Sequence, residues 1–185
     1  MSELRIVKYP DPVLRKKTSP IQRVTPEIQE FITRMGETMH ASHGVGLAAP
    51  QVGISLRIIV VDTGDGIQAL INPQIHLSEG TQTGAEGCLS LPNLYGEVTR
   101  AERVVVRGMN EKGKKVSLSG EGLWARAMQH EIDHLDGVLF TDRVRPETMF
   151  WLTDEVDEDG EHITKATSLE EALRFFERQA SLTRV

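Results

Sequence analysis

HEIDH, His130 to His134, sets two imidazoles four residues apart with an acid directly after the first. On a helix both rings share one face and reach a single ion, with Glu131 beside it. That face continues back through Ala127 and Leu123, while Arg126 and Asp133 lie along one flank. HExxH also arises by chance with two surface histidines, so a third ligand decides. Catalytic sites usually take three protein ligands and leave a position for water. Cys88, the sole cysteine, can supply a thiolate, although a free cysteine is also commonly a small buried core residue. It stands in EGCLS beside Gly87 and Ser90, where backbone can approach a ligand closely. GVGLAAPQ, Gly44 to Gln51, adds two glycines and an amide directly after Pro50, and alone reads as a loop entering a strand.

These residues need a scaffold. Three prolines in YPDPVLRKKTSP oppose long regular structure and leave an extended arm with one helical turn at Asp11 to Arg15. Thr25 can cap a helix over Pro26 to Ala41, with Ile28, Phe31, Ile32, Met35 and Met39 near helical spacing. Leu56 to Asp62 and Ala69 to Asn72 read as paired strands around GDG at Gly64 to Gly66. Val98 to Met109 and Lys115 to Leu118 read as an antiparallel hairpin around NEKG at Asn110 to Gly113. Helix is expected over Glu121 to Leu135, stopping at Gly137. After Pro146 come a hairpin around DEDG at Asp157 to Gly160 and a helix capped by Ser168, with Glu171 at the capping-box position, through Gln179. The fold class is α+β: a single domain of short antiparallel strands around a central HExxH helix, with an N-terminal and a C-terminal helix besides.

At 185 residues the chain suits one domain with one sizeable core. The 39% hydrophobic and 26% charged content excludes disordered and fibrous classes. Met1 to Lys8 holds no apolar run long enough for a signal-peptide core or a membrane span, so cytoplasmic residence without a membrane partner is expected. One cysteine excludes an intrachain disulfide. A net charge of -6 argues against a broad nucleic-acid surface, hence no DNA. That charge resides after Pro146, where ten acids face four bases, whereas residues 1–145 balance.

Together and in this order, GVGLAAPQ, EGCLS and QHEIDHLDG resemble the three signature motifs of the peptide deformylases. YPDPVLR, LINP at Leu70 to Pro73 and GVLFTDRV at Gly137 to Val144 extend the likeness over residues 4–145. The resemblance implies a catalytic domain over residues 1–145; the divergent acidic segment over 146–185, a hairpin plus a helix, lies outside the likeness and is expected to pack on the same domain. It implies hydrolytic removal of the formyl group from the N-terminal formylmethionine of new polypeptides, with Cys88, His130 and His134 as ligands. Glu131 is then the general base and acid, while Gln51 and the N–H of Leu89 hold the formyl oxygen. The implied ion is ferrous iron in the cell, with zinc, nickel or cobalt in purified protein. An extended peptide can add as a strand beside Val45, Gly46 and Gly87. Helix geometry then makes Val45, Leu123 and Ala127 the methionine pocket, which Arg126 closes unless it points along the flank towards Asp133.

Two other readings remain on the sequence. A zinc endopeptidase would take its third ligand downstream, with Glu155 as candidate; a non-catalytic metal-binding protein would not need Glu131. Transient ribosome contact also follows from the resemblance, since bacterial relatives often end in a basic helix. Ser168 to Gln179 is nearly charge-balanced, so Leu173, Phe175 and Phe176 are expected to pack it on the domain or on a second subunit.

Overall fold

Thr25 accepts the Ile28 N–H at 3.4 Å and Pro26 takes the first helical position, so helix α1 spans Pro26–Ala41 in the computed structural model, which describes residues 4–182. Strands β1 (Gly46–Ala48), β2 (Ile58–Val61) and β3 (Gln68–Glu79) follow. Next come β4 (Gln82–Cys88), β5 (Leu91–Arg100), β6 (Arg103–Met109) and β7 (Lys115–Glu121). Helix α2 (Gly122–Leu135) carries HEIDH, and β8 (Phe150–Val156), β9 (His162–Ala166) and α3 (Leu169–Leu182) complete the chain. Asp11 caps the expected early turn, which is a 3-10 segment at Pro12–Arg15. The outer ends of the two expected segments, residues 1–3 and 183–185, lie outside the described residues.

All strand pairs are antiparallel and form a five-stranded sheet, β1-β2-β3-β6-β7, and a four-stranded sheet, β4-β5-β8-β9. β2 is buried at every residue because helices cover both its faces. Ile58 and Val60 pack with Met35 and Met39 of α1, whereas Ile59 and Val61 pack with Met128 and Ile132 of α2. Burying each such side chain contributes roughly 1.5–3 kcal/mol, so α2 is fixed from beneath by apolar contact before any polar group is considered. α2 ends at Leu135, capped by Asp136, and the chain turns at Gly137 (φ +74°), where a Cβ would come within 2.7 Å of the Arg15 carbonyl oxygen.

The structure corrects three expectations. The strand read from Val98 to Met109 is two strands in different sheets: Val98 lies in β5 and packs with Leu91 and Phe140, while Val104 and Val106 lie in β6 and pack against α2. β4 and most of β5 gave no strand signal, because QTGAEGC and LPNLYGE are rich in Gly and polar residues. β3 also runs past Asn72 through Pro73, with register shifts against β6 between Ile71 and Gln74.

The C-terminal hairpin and helix form as expected. β8 pairs with β5 at Leu94↔Trp151 and Tyr95↔Phe150. Ser168 and Glu171 make a reciprocal capping box, each backbone N–H donating to the other's side chain. Ala172 and Phe176, rather than Phe175, bury against Leu14, Leu94 and Phe140; Phe175 stays 42% exposed beside Trp151, and Leu173 is half-buried. No helix among the described residues is long and apolar enough to cross a membrane.

Candidate metal centre

From Ala125 to Ile132 every residue of α2 is buried, polar ones included, so His130, Glu131 and His134 face the interior. Cys88 ends β4, half-buried, where β4 turns into β5. The two elements meet so that Cys88 Sγ lies 3.3 Å from His134 Nε2, and one ligand atom each from Cys88, His130 and His134 fall within 4.8 Å of one another. With bonds of about 2.0–2.3 Å, ligands of a tetrahedral ion stand roughly 3.3–3.7 Å apart, so the cluster has the right size for one.

Charge and hydrogen bonding agree. Glu86 Oε2 lies 2.9 Å from His130 Nδ1, which fixes that nitrogen as the donor and leaves Nε2 for an ion. Burial opposes charge on His130, yet hydrogen bonds to Cys88 and Glu86 outweigh it and raise its pKa well above the usual value. A centre that draws a proton onto a buried imidazole draws a cation for the same reason. His134 moves the other way: burial and the charge of His130 hold its pKa well below normal, which favours the neutral imidazole that a metal ion would need.

Glu131 is buried beside His130, and its Oε2 has no hydrogen-bond partner among the described residues. Burial raises its pKa to about 7, with the His130 charge opposing. A buried carboxylate oxygen without a partner is unusual in a structural site and suits a proton carrier. Its space depends on Gly46, where a Cβ would stand 2.3 Å from Glu131 Oε1. Gln51 is fixed in turn, its Oε1 accepting from the Ala48 N–H at 2.8 Å, so that Nε2 points to Cys88 Sγ and Ser90 Oγ, both at 3.4 Å. Leu89 lines the same cleft, and its carbonyl accepts from Lys8 Nζ at 2.6 Å.

The cleft holds about 570 Å³ and runs between the outer strands of the two sheets, β1 and β4. Val45, Gly46, Gly87, Leu123 and Ala127 all line it, with Val45 and Leu123 exposed at the mouth and Ala127 buried at depth. Arg126 lines it too, but neither caps it nor reaches Asp133. Its Nη1 donates to Glu86 Oε1 at 2.8 Å and to the Val98 carbonyl at 2.9 Å. Glu155 lies exposed on β8, outside the ligand cluster.

Sequence reasoning missed Glu86, Arg100 and Lys8. Arg100 grips both oxygens of Glu86 at 2.9 Å, with Nε on one and Nη2 on the other. Burial would raise the pKa of Glu86, but the bonds from His130 and Arg100 hold it well below the carboxylate range. The signal was within EGCLS: in a strand Glu86 and Cys88 share a face. Lys8 follows no motif; burial lowers its pKa against the opposing charge of Cys88.

The polypeptide deformylase family model matches residues 3–149. A peptide deformylase of Carboxydothermus hydrogenoformans is 48% identical over 143 residues, covering 77% of this chain and 94% of that protein. The crystal structure of peptide deformylase from Thermotoga maritima superposes with a TM-score of 0.77 at 46% identity, covering 79% of this chain and all (100%) of that one. A plant peptide deformylase structure covers 99% of this chain and 94% of its own, with a TM-score of 0.81 at 33% identity.

Proposed function

The chain belongs to the polypeptide deformylase family and is a metal-dependent hydrolase that removes the formyl group from the N-terminal formylmethionine of new polypeptides; we propose that Cys88, His130 and His134 hold its ion. The observation that carries this assignment is the convergence of one sulfur and two imidazole nitrogens within 4.8 Å, next to a buried, unpaired carboxylate oxygen. A bound divalent cation supplies Lewis acidity and lowers the pKa of a water towards neutrality. One thiolate and two imidazoles suit Fe, Zn, Co or Ni. We assign ferrous iron in the cell, with zinc, nickel or cobalt in purified protein.

This chain's own groups do the rest. Glu131 takes a proton from the attacking water and returns it to the nitrogen of methionine as formate leaves. Gln51 Nε2 and the Leu89 N–H donate to the formyl oxygen as it gains charge, each contributing on the order of 3 kcal/mol in comparable oxyanion holes. Val45, Leu123 and Ala127 receive the methionine side chain. The peptide lies extended between Gly46 of β1 and Gly87 of β4, outer strands whose backbone can pair with it irrespective of its sequence. The catalytic groups lie within residues 1–145, and β8 and α3 pack against that part of the chain. Cytoplasmic residence and transient contact with the ribosome complete the proposal, because the substrate is a nascent chain.

Anaerobically purified protein, analysed for metal and assayed for formate release from formyl-Met-Ala-Ser, tests this directly. About one equivalent of ion and formate release that vanishes in Cys88→Ala are expected. Retention of metal and activity by Cys88→Ala overturns the ligand assignment.

A further inference from the structure

The fourth residue of HEIDH takes no part in the chemistry above, yet it is among the best-bonded side chains in the molecule. Asp133 is half-buried on α2, and its carboxylate accepts from two guanidiniums. Arg143 donates Nε to Oδ2 at 2.6 Å and Nη2 to Oδ1 at 2.7 Å. Arg100 donates Nη1 to Oδ2 at 2.5 Å. The same Arg100 clasps Glu86 with its other two nitrogens, and Glu86 meets His130 Nδ1. A continuous chain therefore runs from Arg143, whose side chain is 47% exposed, through Asp133, Arg100 and Glu86 to one ligand of the metal centre.

We propose that Asp133 is a positioning residue for metal binding, which locks Arg100 so that Arg100 and Glu86 fix the ring of His130, with Arg143 closing the chain at the surface. This rests on the ligand assignment above. Two physical reasons support it. Arg100 is planar and offers its donors as a fork; with the Nε/Nη2 edge engaged on Glu86 and Nη1 on Asp133 it has one orientation, and Glu86 inherits it. Groups behind a ligating histidine set ring orientation and basicity. Charge is the second reason. Among the ion-paired side chains, Glu86 and Asp133 face Arg100, Arg126 and Arg143, so these five groups leave one positive charge unmatched. Neutralising Asp133 adds another, close to where a divalent cation must sit.

A structural role alone would show as lower stability. A positioning role also changes the centre. The test uses cobalt-loaded holoenzyme, read by its visible absorption and by the rate of cobalt loss to an excess of chelator. Changes behind metal-binding histidines typically weaken metal binding about 10–100-fold; Asp133 acts through two further groups, so about tenfold faster loss is expected for Asp133→Asn and about threefold for Arg143→Ala. A shifted cobalt band and a fall in kcat with KM for formyl-Met-Ala-Ser unchanged should accompany them. Asp133→Glu, which restores the charge, should recover part of the loss. Wild-type band and wild-type cobalt loss in both variants, whatever their melting temperature, overturn the proposal. Should Asp133→Asn fail to fold, Arg143→Ala decides by the same two readings. Failure of the wild type to release formate would instead defeat the catalytic reading, because cobalt retention is measured independently of turnover.

Discussion

Around His130, the side chains of Glu86, Arg100, Arg126 and Asp133 are withdrawn from solvent, and each is bonded to an opposite charge. In β8, β9 and α3 every charged residue is exposed, and Glu170 pairs with Arg174 across a single helical turn. The first region uses charge to hold a ring and a strand against a helix. The second stays attached through apolar contact, mainly Trp151, Ala172 and Phe176, and its charges remain solvated. An ion pair deprived of water stabilises only as a complete set, so removing one member leaves a desolvated charge behind. A solvated pair loses little when broken.

That contrast can be broken or sharpened by substitution. Glu131→Gln should have the largest effect, lowering kcat about 10²–10⁴-fold with the ion retained, since a proton carrier is lost but no ligand. In the proposed mechanism ionised Glu131 is the base, so wild-type activity should fall on the acid side. A bound cation moves the midpoint below the value of about 7 that burial imposes without one. Ordinary turnover by Glu131→Gln would remove Glu131 from the mechanism.

Glu86→Gln comes next, at about 3–5 kcal/mol of stability by denaturant unfolding, because Arg100 and Arg126 lose their shared counter-charge. Burial works against the depressed pKa of Glu86, and its bonds to His130 and Arg100 overcome that. A depressed carboxylate contributes stability above its unfolded value and loses it as pH falls. The wild-type melting temperature should therefore drop below about pH 4.5, with Glu86→Gln flattening that limb. An unchanged limb would mean that the cluster does not stabilise the fold.

Phe176→Ala should remove about 3 kcal/mol of stability and leave the kcat of the folded protein near wild type, since Phe176 itself does not line the cleft. A large loss of kcat at temperatures where the variant is folded would show that the C-terminal region does more than pack. Smallest is Glu170→Ala, expected within about 0.5 kcal/mol of wild type in thermal unfolding. A cost above about 1 kcal/mol would erase the distinction between the two regions.

Much of the local structure was readable because its causes are local. Thr25 and Pro26 start α1, Ser168 and Glu171 start α3, and the NEKG and DEDG turns lie where hairpins reverse. β4 and β5 were not readable, since glycines and polar residues form strands there only by pairing with each other and packing on one face. With β4 unseen, Glu86 had no reason to share a face with Cys88. Arg126 was misjudged for a related reason: its partners, Glu86 and the Val98 carbonyl, lie 40 and 28 residues away in sequence.

The sequence by itself determined the chemistry on offer: two imidazoles on one helical face, an acid beside them, one cysteine and one amide in glycine-flanked turns. Residue type and short spacing suffice for that, because helix periodicity fixes which side chains share a face. Only the tertiary structure decided that Cys88 meets His134 across 46 residues, that Glu131 is buried against Gly46, and that Glu86 orients His130. Those depend on two sheets closing around α2, and that closure is set by packing over the whole domain rather than by any short stretch of chain.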